Sequence, residues 1–180
     1  MIYVFLAPGF EESEALVTVD VLRRAGENVV TVGVTESLIK GAHGIQVVTD
    51  TTIYDVQGTH PDGIVLPGGM PGTLHLEHCQ WVCEMIRDAY RNDKWIAAIC
   101  AAPSILGHMG LLTNRKATCF PGFENELLGA EVTAQSVCRD GRFITANGPG
   151  AAMAFGLEIV RALHGDAAAQ KIGDAMQYVG

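Results

Sequence analysis

Short, uninterrupted apolar runs alternate along the chain with longer segments whose apolar positions recur at helical spacing. That alternation predicts a mostly parallel sheet covered by helices on both faces. Residues 1–6 (MIYVFL), 28–34 (NVVTVGV), 62–66 (DGIVL) and 95–99 (WIAAI) read as buried strands. After the first of them, "ALVTVDVLRRAG" places Leu16, Val19, Leu22 and Ala25 on one helical stripe that stops at Gly26. Residues 44–54 (GIQVVTDTTIY), rich in Val, Ile and Thr, predict an extended excursion or hairpin. Helices are expected over about 79–92 and from Ala101 to Met109, with a short strand in "KATCF". "SVCRDGRFITA" reads as a hairpin turning at Asp140-Gly141, and the tail as two helices, 149–163 and 165–178, divided by His164-Gly165.

No linker, repeat or low-complexity segment interrupts this pattern, so the expectation is one doubly wound α/β domain over 1–180. In such folds ligands bind outside the carboxyl ends of the strands. Three strand ends carry distinctive residues: "LAPGFEESE", "LPGGMPG" and "CAAP". A fourth segment, "NGPG" at 147–150, opens the penultimate helix.

Composition narrows the classes of function. The 180 residues are 48% hydrophobic and 18% charged, which is the balance of a folded globular chain. The net charge of −8 supplies no basic footprint for nucleic acid or an anionic membrane surface. No apolar run reaches the roughly 20 residues of a membrane span. The N-terminus lacks the basic flank of a signal peptide and reads as a strand. Five cysteines, an odd number, are then most simply reduced thiols in the cytoplasm.

One of them stands apart. Cys100 lies where the 95–99 strand meets the next helix, flanked by Ala97, Ala98, Ala101 and Ala102. A tight strand-to-helix elbow needs small neighbours, lifts a nucleophile above the sheet and sets it beside a helix N-terminus, which favours thiolate. A free cysteine is otherwise a common core residue. The glycine pair Gly68-Gly69 tips the choice, because glycines at a strand end let the backbone approach a ligand. The amides of Gly69 and Ala101 are placed to hold an oxyanion. Glu11, Glu12 and Glu14 crowd the first turn of the first helix, where acids complement the dipole. A glutamate made neutral by burial beside the elbow would serve as acid, base and donor to the thiolate together.

The set "GFEESE", "LPGG", "AAICAAP", "KATCFP" and "NGPG", in this order over essentially the whole chain, resembles the ThiJ/PfpI superfamily, in the branch of the Parkinson-disease protein deglycase. The resemblance implies a flavodoxin-like fold related to class I glutamine amidotransferases, and a homodimer. It matches Cys100 to an oxidisable nucleophile, Glu14 to a protonated glutamate that contacts it, and Gly69 and Ala101 to the backbone around it. The implied activity is a cofactor-independent deglycase or glyoxalase acting on methylglyoxal, glyoxal or their early adducts to give 2-hydroxy acids. The alternatives are a peroxide-sensing, chaperone-like stress protein using the same cysteine and another ThiJ-type hydrolase or biosynthetic enzyme.

Departures from the family pattern matter too. Protease-like members carry His after the nucleophile, where this chain has Ala101, and no downstream His-x-Glu completes an amidotransferase triad. Many relatives place a His in the "AT-x-x-P" segment, where this chain has Phe120. Proton chemistry therefore falls to Glu14. Gly68, Phe120, Asn147 and His43 are further pocket candidates; Asn147 also fits an N-cap, and in relatives the region of His43 approaches the pocket from the partner subunit. "HLEHCQWVC" sets His75 with Cys79, and Cys79 with Cys83, at i, i+4, but without a second distant pair this is not a zinc motif, and no metal is expected. Cys119 and Cys138 read as core.

Overall fold

A computed structural model describes residues 1–179; Gly180, the last residue of the expected domain, lies outside the described residues. The elements in chain order are β1 (Ile2–Leu6), α1 (Glu12–Arg24), β2 (Val29–Gly33), β3 (Leu38–Lys40), β4 (Gln46–Val48), β5 (Thr51–Thr52), β6 (Gly63–Leu66), α2 (Gly72–His78), α3 (Gln80–Arg91), β7 (Trp95–Ile99) and α4 (Pro103–His108). They continue with β8 (Lys116–Ala117), β9 (Glu131–Val132), β10 (Val137–Asp140), β11 (Phe143–Ala146), α5 (Ala152–His164) and α6 (Asp166–Ala175).

Seven strands form one sheet in the order β10-β11-β7-β6-β1-β2-β5, parallel throughout except for the β10–β11 hairpin at one edge. Side chains alternate along each strand, so successive residues enter different cores. Ile2, Val4 and Leu6 of β1 pack with α1, α5 and α6 on one face. Tyr3 and Phe5 pack with α2, α3 and α4 on the other. β7 divides in the same way, with Ala97 and Ile99 on the first face and Ile96 and Ala98 on the second. The sheet is therefore covered on both sides, which is why its inner strands read as continuous apolar runs. The fold is the flavodoxin-like, doubly wound architecture.

From β1 the chain moves outward to β2 and β5, then returns to the other side of β1 as β6 and β7. The crevice between β1 and β6 is the switch point of the sheet, where a ligand is accommodated beyond the strand ends. The ends of β1, β6 and β7 carry "APGFEESE", "PGG" and "CAAP" to this one place.

Several expectations need correction. The buried face of α1 is Ala15, Thr18, Val19, Val21 and Leu22, while Leu16 is exposed and Ala25 only half-buried. The helix is rotated because it is clasped by α5 as well as by the sheet; a Cβ on Gly156 would lie 3.0 Å from Val21 Cβ. The 44–54 excursion splits: β4 pairs with β3, which the sequence pattern did not separate from its surroundings, and β5 joins the main sheet. The expected 79–92 helix is preceded by a separate α2, and the two are broken at Cys79, whose ψ of 106° is extended. His75 and Cys79 therefore do not share one continuous helical face. "KATCF" contributes only two residues of strand. The hairpin lies where expected, but its two-residue turn is Gly141-Arg142, since Asp140 is the last paired residue of β10, opposite Phe143. The tail forms two helices as expected, though α5 starts only at Ala152 and α6 ends at Ala175.

Candidate active site

Glu11, Glu12 and Glu14 stand in one turn but have three different tasks. The Glu11 carboxylate caps α1 by accepting from the Glu14 amide at 2.7 Å, and it also accepts from Ser13 Oγ. Glu12 points away toward the β3–β4 hairpin, accepting from the His43 amide at 2.8 Å and from Ile45 N, with His43 Nδ1 at 2.8 Å from its other oxygen. Glu14 is completely buried. Its Oε2 accepts the Gly68 amide at 2.8 Å, and its Oε1 has no hydrogen-bond partner among the described residues.

The Glu14 carboxyl faces Cys100. Burial is the dominant influence on it and raises its pKa to about 7, with the charge of Glu11 adding to the rise; the Cys100 contact and the Gly68 amide act the other way. A carboxyl poised near neutrality exchanges protons readily in both directions. Its neutral form also suits an environment in which one oxygen has no donor.

Cys100 sits between β7 and the turn into α4 with φ of +65°, a left-handed conformation that costs a non-glycine residue free energy. Its backbone is pinned on both sides: its N–H donates to the Ala146 carbonyl at 2.8 Å, and its own carbonyl accepts from Phe120 N–H at 2.8 Å. The side chain is 9% exposed. Burial, then the adjacent Glu14 charge, push the thiol up to about 12, against the amides of Gly69 and Ala101, which lower it. The elbow amides favour thiolate as expected, but desolvation and a neighbouring carboxylate outweigh them. When Glu14 carries its proton, the repulsion disappears and the amides remain.

Gly68 fills the space between the two. A Cβ there would lie 2.6 Å from Cys100 Cβ and 2.8 Å from Glu14 Oε2, so only glycine admits both side chains. Gly69, at φ +87°, packs against Gly9 and Phe10 so tightly that no side chain fits there either. The four residues Glu14, Gly68, Gly69 and Cys100 thus come from three adjacent strand ends.

The remaining candidates lie around them. Phe120, 42% exposed, is joined to Cys100 through the backbone, and its ring faces Gly148, where a Cβ would lie 3.1 Å from the ring edge. Asn147 is half-buried and its amide donates to Ser136 O. It is not an N-cap, since Ala151 holds that position for α5 and Gly148 precedes the short turn Pro149–Ala151. His43 rests on Glu12 and not on Cys100. Glu11, Glu12 and His43 place three ligand-type atoms within 4.8 Å of one another, but most of these atoms already hold hydrogen bonds, and the positive end of α1 opposes a cation there.

Five of the six histidines engage other groups: His43 meets Glu12, His60 Asp88, His75 the Pro8 carbonyl, His108 both Glu77 and Glu126, and His164 Glu27. The sixth, His78, is exposed on α2. All five cysteines are free thiols; Cys119 and Cys138 are buried, and Cys83 donates to the Glu77 carbonyl. The tie between Ala146 and Cys100 was not legible in the sequence, although "NGPG" immediately follows it. The capping role of Glu11 carried a signal in the acidic first turn, but nothing separated Glu12 from it.

A model of the DJ-1/PfpI family matches residues 1–162. The chain belongs to that family. It is 38% identical over 163 residues to Protein DJ-1 homolog B of Arabidopsis thaliana, covering 89% of this chain but only 37% of that longer relative. It is 35% identical over 157 residues to glutathione-independent glyoxalase DJR-1.2 of Caenorhabditis elegans, covering 86% of this chain and 83% of the relative. Among solved structures, the oxidized DJ-1 of Toxoplasma gondii superposes with a TM-score of 0.96 at 32% identity, over 99% of this chain and 98% of the other. Members of the family share this doubly wound sheet, and no helix of the present chain is long and apolar enough to cross a membrane.

Proposed function

We propose that this chain is a cofactor-independent glyoxalase or deglycase that uses Cys100 as nucleophile and Glu14 as the proton carrier. The observation that carries the reading is the placement of a thiol on a strained elbow beside a fully buried carboxyl whose pKa is raised to about 7. Cys100 Cβ and Glu14 Oε2 both lie within 2.8 Å of where a Cβ on Gly68 would stand. With every histidine but exposed His78 engaged elsewhere, Glu14 is the group placed to move the proton. The C. elegans relative named a glutathione-independent glyoxalase supports the same class of reaction.

In this mechanism the Cys100 sulfur adds to the aldehyde carbon of methylglyoxal, and the carbonyl oxygen takes up a proton to give a hemithioacetal. Glu14 removes the proton from that carbon and returns one to the neighbouring carbon, converting the adduct to a thioester of lactate. Water then cleaves the thioester, releasing lactate and the thiol. The sum is methylglyoxal plus water to lactic acid, with no external oxidant or reductant. The amides of Gly69 and Ala101 steady the oxygen that carries negative charge in the addition and hydrolysis steps. An early adduct of methylglyoxal on an amine or thiol first collapses at its carbinol carbon, the hydroxyl proton passing to the departing amine or thiol, and the aldehyde so regenerated is attacked by the same sulfur.

We read the working form as a cytoplasmic homodimer. Leu16, Ile45 and Val48, 37%, 55% and 72% exposed on α1 and the neighbouring hairpin, support an apolar contact there, and five free thiols suit a reducing compartment. A second reading, in which Cys100 is a peroxide sensor, is favoured by the likeness to a DJ-1 structure in an oxidized form.

The deciding measurement is lactate formed from methylglyoxal by the reduced protein, with Cys100→Ala and Glu14→Gln beside it. A loss of about a hundredfold or more in both variants supports the enzyme. Undiminished turnover in either variant overturns it. Wild-type turnover near the uncatalysed rate, with clean oxidation of Cys100 by peroxide, leaves the sensor.

A further inference from the structure

The opposite end of β7 carries a second concentration of chemistry. A cleft of about 340 Å³ opens at Trp95, the first residue of that strand, and at the turn of the β10–β11 hairpin. Lys94, Arg115 and Arg142 line it, three of only 12 Lys and Arg in a chain of net charge −8. Cations gathered in one place on an acidic protein call for a reason beyond solubility.

Each of the two arginines sits over an aromatic ring. The Arg142 guanidinium lies over the Trp95 ring, 4.6 Å from its centroid, and that of Arg115 over Phe143 at 5.0 Å. Stacking fixes the plane of a guanidinium while leaving its N–H edge available, the arrangement suited to carboxylate and phosphate. Gly141 makes room for this: a Cβ there would stand 3.0 Å from Arg115 Nη1.

Three acids attend the cations without using up their donors. Asp62 takes Lys94 at 2.8 Å. Asp93 takes Arg142 at 3.2 Å through Nε alone, so the terminal nitrogens of Arg142 have no partner among the described residues. Asp140 stands 3.5 Å from Arg115 Nη1, beyond a good hydrogen bond, and spends its other oxygen on the Lys116 amide. Two guanidinium groups with donors to spare therefore line one cleft of ligand size.

We propose that this cleft binds a small polyanion, a di- or polycarboxylate or a phosphate, through Arg115 and Arg142 with Lys94 adding charge. The site is separate from Cys100, a strand length of about 16 Å away, and does not depend on the catalytic reading.

The test is calorimetric titration of the full chain with pyrophosphate and with citrate at low and at physiological salt, alongside Trp95 fluorescence in a Trp81→Phe background. The expected result is saturable binding at one site per chain, weakened by salt and weakened about tenfold or more in Arg115→Gln and Arg142→Gln. Arg87→Gln, on α3 outside the cleft, should leave it unchanged. Preference for citrate or for pyrophosphate assigns the ligand as carboxylate or phosphate, and either supports the site. Arg142→Lys keeps the charge and loses the planar fork, so weakened binding in that folded variant supports the site even where Arg142→Gln does not fold. No saturable binding by either anion, equal affinity in the arginine variants, or binding only to an acidic peptide such as polyglutamate would overturn it.

Discussion

Gly68 donates its amide to the fully buried Glu14 carboxyl at 2.8 Å, and a Cβ on it would collide with both that carboxyl and Cys100. The pairing of nucleophile and acid is thus a property of a missing side chain. Gly68→Ala should place a methyl into both partners and cost about 1–3 kcal/mol in stability. Urea denaturation would show this, and Cys100 alkylation would change in the same variant. A Gly68→Ala protein of wild-type stability with unchanged thiol reactivity would contradict the packing described here.

Glu14 also sets a pH dependence of stability. Its folded pKa of about 7 lies above the ordinary 4.5, so the folded state holds the proton more tightly than the unfolded chain does. The stabilisation is complete below about 4.5 and is lost as the pH rises through 7. Glu14→Gln should remove this slope, on the order of 3 kcal/mol across that window, and should match or exceed the wild type in stability at pH 8. Denaturation midpoints at several pH values test it.

The same substitution separates reactivity from turnover. Glu14→Gln removes the charge that helps push the Cys100 thiol up to about 12, so iodoacetamide should alkylate the variant faster than the wild type at pH 8. Lactate formation should fall in that variant. Slower alkylation would mean that Glu14 favours the thiolate even when ionised.

Strain at Cys100 inverts a familiar order. Glycine normally destabilises relative to alanine, but at φ +65° the Cβ itself is the cost. Cys100→Gly should be about 1 kcal/mol more stable than Cys100→Ala, measured by thermal denaturation of the two.

Much of the fold was legible because apolar runs bounded by turn residues mark buried parallel strands, and β1, β2, β6 and β7 fell where the runs did. What escaped was set by tertiary contact. The rotation of α1 away from Leu16 follows from clasping by α5, and nothing local to "ALVTVDVL" encodes that. The break at Cys79 sits inside a sequence that would continue as helix on its own. At the site, the residue types were visible, but the balance of forces on the thiol was not. A sequence shows that Cys100 and Glu14 are present; only the fold shows that desolvation exceeds the pull of two amides.

His108 supplies a last test. Glu77 and Glu126 hold its two ring nitrogens, joining α4 to α2 and to the segment after Phe120. Their hydrogen bonds raise its pKa above the ordinary 6.5, so this tie is complete below 6.5 and weakens as the pH rises through the higher folded value. The groups are partly exposed, so His108→Gln should cost less than about 1 kcal/mol at pH 6 and progressively less at alkaline pH. Chemical denaturation at the two pH values distinguishes this from a pH-independent packing loss.

The hydrogen bond between Gly68 and Glu14 spans 54 positions of sequence, and Cys100 lies a further strand and two helices along the chain. No local fragment can assemble this corner, because it exists only once β1, β6 and β7 stand side by side. Shielding of a single sulfur therefore becomes a clock for the folding of the central sheet. Pulsed thiol labelling during refolding should show Cys100 closing with the slow, long-range phase and not with early helix formation.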